Sequence, residues 1–264
     1  MKILFLGDVV GPLGRQGVRK YLALHKKTDN IDLVIANGEN ATHGHGLSYK
    51  HYVELINSGV DIVTSGNHFF NNKDSFNSKY DFKQAIRPYN LDKSCPLKGS
   101  IKLEVNGRKV RVINLIGRVF LTQAQTNPFY DLDEILKEDD EDTIEFVDFH
   151  AEATAEKRCL AEYADGRITA LIGTHTHVQT NDAKLLNKGT FFLTDAGMNG
   201  AYDSVLGDIK EASIRRTMSA MPAMLDVPRV GKILINGVLL EIAEDAPKVV
   251  SFKLINELME GQSC

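Results

Sequence analysis

The chain of 264 residues holds only three cysteines, Cys95, Cys159 and Cys264, with no CxxC pair among them. An odd count without paired spacing argues against a secreted disulfide framework and suits a reducing compartment. The chain also lacks any apolar run near the ~20 residues that cross a bilayer. Its amino-terminal Ile3-Leu4-Phe5-Leu6 stretch stops at Gly7-Asp8, too soon for a signal-peptide core. Cys264 stands last, outside a prenylation box. Excess positive charge is missing too: 31 basic residues against 35 acidic ones give a net charge of -4. That balance excludes a basic surface built to wrap long nucleic acid. With no linker, repeat or low-complexity tract, a single domain over residues 1–264 is expected. The expected protein is cytoplasmic and soluble, with no membrane partner, and a homo-oligomer is left open.

What is present is a core. Apolar residues make up 43% of the chain, and a domain of this size buries roughly three quarters of its unfolded surface without staples. The first strand reads Lys2 to Leu6. A helical pattern follows from Gly14 to His25, with Val18, Tyr21, Leu22 and His25 on one face. A buried strand over Leu33–Ala36 ends at Gly38-Glu39-Asn40. A helix over Ser48–Ser58 has Ser48 as N-cap and Gly59 beyond its end. Asp61–Thr64 is a third strand, ended by Gly66-Asn67-His68. Strand, polar loop, helix, strand is the mark of an α/β fold.

The middle reads as a hairpin, Ser100–Val105 and Lys109–Leu115 about an Asn106-Gly107 turn. The irregular stretch from Arg118 to Pro128 is a candidate active-site loop. Asp131–Lys137 reads as a helix before an acidic, solvated run, Glu138 to Asp142. Then come a strand over Ile144–Phe149 ending at His150, a helix over Ala151–Ala164, and a strand over Ile168–Ile172 ending at Gly173-Thr174-His175-Thr176-His177. Thr190–Leu193 is a strand, and Gly197-Met198-Asn199-Gly200 reads as a loop, either a tight connection or a wall of a nucleotide pocket. A helix over Gly207–Met218 is followed by a second hairpin, Arg229–Ile235 and Val238–Ala243 about Asn236-Gly237, and a last strand over Val249–Leu254.

The polar residues at these strand ends form a set: Asp8, Glu39 with Asn40, Asn67 with His68, His150, and His175 with His177. In open α/β sheets the carboxyl ends of strands converge on the ligand. Carboxylate, amide and imidazole donors are metal-ligand chemistry. One metal takes about four to six donors, so two adjacent metals bridged by a carboxylate account for the larger set. Taken singly, each residue reads more blandly: Asp8 as a cap, Asn40, Asn67 and His68 as turn residues, His150 as structural. Gly7, Gly11 and Gly14 do not make a dinucleotide fingerprint, because Asp8 would repel a pyrophosphate.

Five motifs in this order resemble those of calcineurin-like metallophosphoesterases, and most closely the YmdB-type branch, a group of bacterial cyclic-nucleotide phosphodiesterases. They are Gly7-Asp8, Gly38-Glu39-Asn40, Gly66-Asn67-His68, His150 and Gly173-Thr174-His175-Thr176-His177. Val10 stands where the wider superfamily has a histidine, and Glu39-Asn40 where it has an aspartate; both departures match the branch. The resemblance implies an α/β fold with a two-sheet β-sandwich core flanked by helices (α/β/β/α). It implies one metal on Asp8, Glu39, Asn40 and His177, and a second on Asn67, His150 and His175, with Glu39 bridging. The oxygen-rich donor set favours Fe or Mn over Zn. His68 is the implied catalytic residue, an acid or electrostatic clamp at the phosphate.

The implied activity is hydrolysis of a small cyclic nucleotide, 2′,3′- and/or 3′,5′-, by metal-bound hydroxide, since two adjacent metals bring the pKa of water toward about 7. The alternatives are a phosphomonoesterase, an RNA-end nuclease, or a module that senses nucleotide or metal without turnover. Of the remaining histidines, His25 and His51 read as packing or surface residues. His43 and His45 have the spacing of a metal pair, but substrate contact is the better reading. Arg118, Arg215 and Arg216 read as solvated surface, with phosphate contact as the alternative.

Overall fold

The structure is a computed structural model and describes residues 1–137, 142–219 and 224–261. Two sheets face each other. The first contains β1 (Lys2–Leu6), β2 (Asp8–Val9), β3 (Leu33–Asn37), β4 (Ile62–Thr64), β11 (Met198–Ala201), β12 (Ile233–Ile242) and β13 (Val249–Met259). Its order is β2-β11-β12-β1-β3-β4, with β13 paired to β12. The second contains β5 (Ser100–Val105), β6 (Arg108–Ile116), β7 (Ile144–His150), β8 (Ala170–Thr174), β9 (Lys184–Leu185) and β10 (Phe191–Leu193), in the order β5-β6-β7-β8-β10-β9. Helices α1 (Gly11–Thr28), α2 (Tyr49–Asn57), α3 (Pro128–Leu136), α4 (Thr154–Tyr163) and α5 (Lys210–Ser219) complete the regular elements.

Strand alternation produces the layers. In β1 the side chains of Ile3 and Phe5 enter the core between the sheets, while Leu4 and Leu6 face α1 and α2. Phe5 meets Phe146 of β7 across the sandwich, with ring centroids 5.4 Å apart. On the far side of the second sheet, Val147, Phe149 and Phe192 pack on Leu132 and Ile135 of α3 and Leu160 of α4. Each such buried side chain contributes about 1.5–3 kcal/mol. The result is the expected α/β/β/α sandwich.

Helix α1 begins three residues before the expected Gly14, because Pro12 suits a first turn where its missing N–H costs nothing. Ser48 caps α2 as expected, accepting from the His51 backbone N–H. Two expectations fail. Asn236-Gly237 is no hairpin turn but the middle of the continuous strand β12. There one edge of β12 changes partner, pairing with β11 at Leu234 and with β1 from Gly237 onward. Asn236 serves this junction: its side chain donates to the Met198 carbonyl and its own carbonyl accepts from Gly7 N–H. A Cβ at Gly237 would lie 2.3 Å from the Phe5 carbonyl oxygen, so glycine is demanded by close approach, not by a turn. Likewise Met198-Asn199-Gly200 is strand β11 and not a loop, because Met198 and Asn199 pair with Asp8 and Val9.

The stretch from Arg118 onward is irregular as expected, but it caps another feature. The N–H groups of Arg118 and Val119 bind the Glu156 carboxylate of α4. Most of the acidic run (residues 138–141), and Cys264, lie outside the described residues. Cys95 and Cys159 are free thiols. Among the described residues no helix is long and apolar enough to cross a membrane.

Candidate metal centre

Both sheets deliver polar residues to one edge. Asp8 follows β1, Glu39 and Asn40 follow β3, and Asn67 and His68 follow β4. From the other sheet, His150 ends β7, and His175 and His177 follow β8. The carboxyl ends of parallel strands meet there. All eight residues come together. Nε2 of His150 lies 3.0 Å from Glu39 Oε1 and 2.8 Å from Asn67 Oδ1. His175 Nδ1 lies 3.0 Å from the same His150 nitrogen. On the other flank, His177 Nε2 lies 3.0 Å from Asn40 Nδ2 and 3.8 Å from Asp8 Oδ1. The His68 N–H donates to Glu39 Oε2 at 3.1 Å. Glu39 is thus common to the His150 side and, through Asn40 Nδ2 at 3.3 Å, to the His177 side.

Close backbone approach makes this assembly. A Cβ on Gly66 would lie 2.3 Å from Glu39 Oε2 and 2.4 Å from His150 Nε2, so glycine lets the loop after β4 run close past the site. His175 and His177 both hold positive φ, 105° and 66°. That conformation is uncommon for residues with a Cβ and persists where the surroundings impose it. The Asp195 carboxylate does so by accepting from the Thr176 N–H at 3.0 Å. His175 N–H in turn donates to Asp8 Oδ2 at 3.1 Å.

A second layer orients the imidazoles. His150 Nδ1 meets Thr174 Oγ1 at 2.9 Å, and that hydroxyl donates to Asp148 Oδ1 at 2.7 Å. Asp148 also accepts from Thr64 Oγ1 and Asn37 Nδ2. His177 Nδ1 faces the Leu206 carbonyl at 2.7 Å, which leaves Nε2 for the site. His175 Nε2 pairs with Glu152 Oε2 at 2.9 Å.

The charges are mutually dependent. Burial pushes the Asp8 carboxyl up. Burial would push Glu39 up as well, but the His150 charge and hydrogen bond bring it down to about 2. Burial opposes a charge on His150, yet Glu39, Asp8 and Asp148 hold it up at about 9. Burial, joined by the His150 charge, pushes His175 down to about 3. Burial raises Asp148 to about 7. A cluster of buried carboxylates held together by one imidazolium is a site short of positive charge.

The donor set fits metal ions on independent grounds. Asp8 Oδ1 and Asn40 Oδ1 are buried and have no hydrogen-bond partner, a cost of about 1–3 kcal/mol or more each unless a cation takes them. Donor atoms of Glu39, His150 and His175 all lie within 4.8 Å of one another.

A cleft of about 320 Å³ opens on this edge, lined by Glu39, Asn40, His68, His175 and His177 and also by His45, Glu152, Leu206 and Asp208. Sequence reasoning missed Glu152, Leu206 and Asp208. Glu152 follows His150 by two residues, and that proximity was the only available signal. His43 points away from the cleft, with its ring 6.1 Å from His51. Residues 118–128, Gly197–Gly200 and Arg215–Arg216 contribute nothing to its lining among the described residues. A larger groove of about 750 Å³, lined by Thr143, Thr169 and Thr190, lies at the amino ends of β7, β8 and β10, away from this edge.

The fold and this edge define a metal-dependent phosphoesterase of the calcineurin-like class. The chain belongs to the YmdB-like protein family, whose description matches residues 4–255. It is 44% identical over 260 residues to the 2′,3′-cyclic-nucleotide 2′-phosphodiesterase of Bacillus subtilis, covering 97% of this chain and 98% of that protein. Among solved structures, one described as a novel phosphatase from Mycoplasma pneumoniae superposes with a TM-score of 0.91 at 38% identity, covering 99% of this chain and 94% of that one. A 5′-nucleotidase structure from Staphylococcus aureus shares the fold at 16% identity and a TM-score of 0.53, over 100% of this chain and 55% of its own.

Proposed function

We propose that the chain hydrolyses a small cyclic nucleotide, a 2′,3′-cyclic ester first and a 3′,5′-cyclic ester second, with two metal ions of the Fe or Mn type. The observation that carries this reading is the pair of unpartnered buried oxygens, Asp8 Oδ1 and Asn40 Oδ1, beside the Glu39–His150–His175 cluster. Asp8, Asn40 and His177 would hold one ion, Asn67, His150 and His175 the other, and Glu39 both. When bound, such a pair supplies the Lewis acidity that makes water nucleophilic near neutral pH and offsets charge on phosphate oxygens.

The protein's own groups do the rest. Thr174 and Asp148 fix the His150 ring, and the Leu206 carbonyl fixes that of His177. His68, anchored by its N–H to Glu39, faces the cleft as an acid or clamp for the phosphate. The cleft volume of about 320 Å³ is at the lower end of small-ligand sites and suits one nucleotide. Glu152 and Asp208 on its wall disfavour a polyanion. One domain over residues 1–264 carries the site, since β1 and β13 lie on opposite edges of the same strand, β12.

The test is turnover by Mn- or Fe-loaded protein of 2′,3′- and 3′,5′-cyclic nucleotides, bis-p-nitrophenyl phosphate and p-nitrophenyl phosphate. Diester cleavage is expected. Cleavage of the monoester alone makes the protein a phosphatase, and binding without turnover makes it a sensor.

A further inference from the structure

β13, of 11 residues, is the longest strand at a sheet edge, and among the described residues no strand pairs with its outer side. The other edges are shorter: two residues in β2 and β9, three in β4, six in β5. An exposed edge offers a row of backbone N–H and C=O groups to another strand.

Which groups β13 offers follows from its neighbour. Ile242 of β12 exchanges both backbone hydrogen bonds with Met1, at 3.1 and 2.7 Å. Residues of an antiparallel ladder alternate in this respect. Leu240 and Val238 therefore also turn their backbone groups to β1, and Glu241, Leu239, Gly237 and Ile235 turn theirs to β13. The residues opposite these four are Ser251, Lys253, Ile255 and Glu257. The N–H and C=O groups of Phe252, Leu254, Asn256 and Leu258 are then left pointing outward. The side chains of Phe252 and Leu258 are 39% and 53% exposed. Lys253 is exposed and Glu257 half-buried, its carboxylate 4.0 Å from His25 Nε2, beyond hydrogen-bond reach.

A lone lysine on an edge keeps a second strand away. Here a glutamate four residues further on reverses that effect in one register. Two copies of β13 related by a two-fold axis run antiparallel, and their outward groups bond when the axis passes through a residue. An axis at Lys253 sets lysine against lysine, and one at Glu257 sets glutamate against glutamate. An axis at Leu254 sets Lys253 against Ile255, and one at Asn256 sets Glu257 against Ile255. The axis at Ile255 sets Lys253 of each copy against Glu257 of the other, and Phe252 against Leu258. In that register the charged pairs take the non-hydrogen-bonded sites, where opposed side chains come closest.

We propose that β13 is a dimer interface, with two copies of this chain joining their first sheets edge to edge about a two-fold axis at Ile255. The contact is isologous and closed, so it covers the edge without building a filament. No residue lining the cleft lies on β13, so both metal centres stay open and turnover per chain does not depend on the pairing.

Sedimentation equilibrium of the full chain at micromolar concentrations is expected to give twice the chain mass. Lys253→Glu sets carboxylate against carboxylate at both ends of the register, and the dissociation constant rises roughly 10-fold or more. Lys253→Glu/Glu257→Lys restores opposite charges and brings it back to within about 3-fold of the parent. Amide hydrogen exchange reads the register. Phe252, Leu254, Asn256 and Leu258 are protected in the parent and exposed in Lys253→Glu diluted to monomer, while Lys253 (or its replacement) and Ile255, bonded to β12, are protected in both. A parent that stays monomeric, a dimer whose four outward amides exchange freely, a Lys253→Glu dimer as tight as the parent, or a double variant no tighter than the single one overturns the proposal.

Discussion

Lys157 of α4 and Asp195 form an ion pair of 2.8 Å with both side chains wholly shielded from solvent. The same carboxylate accepts from the N–H groups of Thr176 and Gly197. It therefore ties the segment between His175 and His177 to the end of β10. Lys157→Met would leave that charge buried without its counter-charge. A loss of about 3–5 kcal/mol in unfolding free energy is expected, together with weaker metal retention. Urea denaturation of single and Lys157→Met/Asp195→Asn variants checks this, the double variant being the more stable of the two.

Gly66→Ala tests the close approach of the loop after β4 to the site. The added methyl would fall among Glu39 Oε2 and His150 Nε2, at 2.3 and 2.4 Å. These atoms must separate, so metal content and turnover should fall while far-ultraviolet circular dichroism stays near that of the parent. A variant with parental metal content would show that the site tolerates the methyl.

Stoichiometry separates one metal from two. Protein prepared without chelators should hold two ions per chain, and Asn67→Ala should hold about one, because Asn67 belongs to the His150 group alone. Emission spectrometry gives both values directly. A parent with a single ion would argue against the bridging role of Glu39.

Thr174→Val removes the hydroxyl between His150 Nδ1 and Asp148 and changes little else in shape. Outer partners of this kind are worth about 10–100-fold in metal affinity. Titration with a competing chelator measures that shift.

His51 supplies a pH signature outside the metal centre. Burial, joined by the charge of Arg15, pushes its imidazole down to about 4, against an ordinary value of 6.5. The unfolded chain therefore takes up the proton first as pH falls. The stability contributed by neutral His51 is complete above pH 6.5 and is lost as pH falls from there to about 4. His51→Gln should flatten this part of the stability profile in denaturant titrations across that range. An unchanged profile would mean that His51 titrates normally.

Local patterns made the strand and helix order legible. The short apolar run of Lys2–Leu6, the Ser48 cap and the Asn106-Gly107 hairpin turn all act over a few residues, and all appear as read. Asn236-Gly237 has the same local signal as Asn106-Gly107 and a different fate. The difference is tertiary: at Gly237 the backbone of β1 passes within a distance that no Cβ allows. A dipeptide signal cannot carry that information.

The meeting of these eight residues at one edge was legible because the carboxyl ends of parallel strands converge whatever lies between them in sequence. Their supports were not. Asp148, Thr174 and Asn37 occupy strand positions where nothing local marks a polar network, and Glu152, Leu206 and Asp208 reach the cleft only through the folded path of their loops. His43 and His45 divide the same way. Their spacing suggested a pair, but the left-handed turn at His43 and Gly44 sends one ring to His51 and the other to His68. The sequence by itself determined which chemical groups the strands carry to one edge. Tertiary structure decided which of them touch, because contact depends on backbone approach and turn geometry that only the assembled sheets impose.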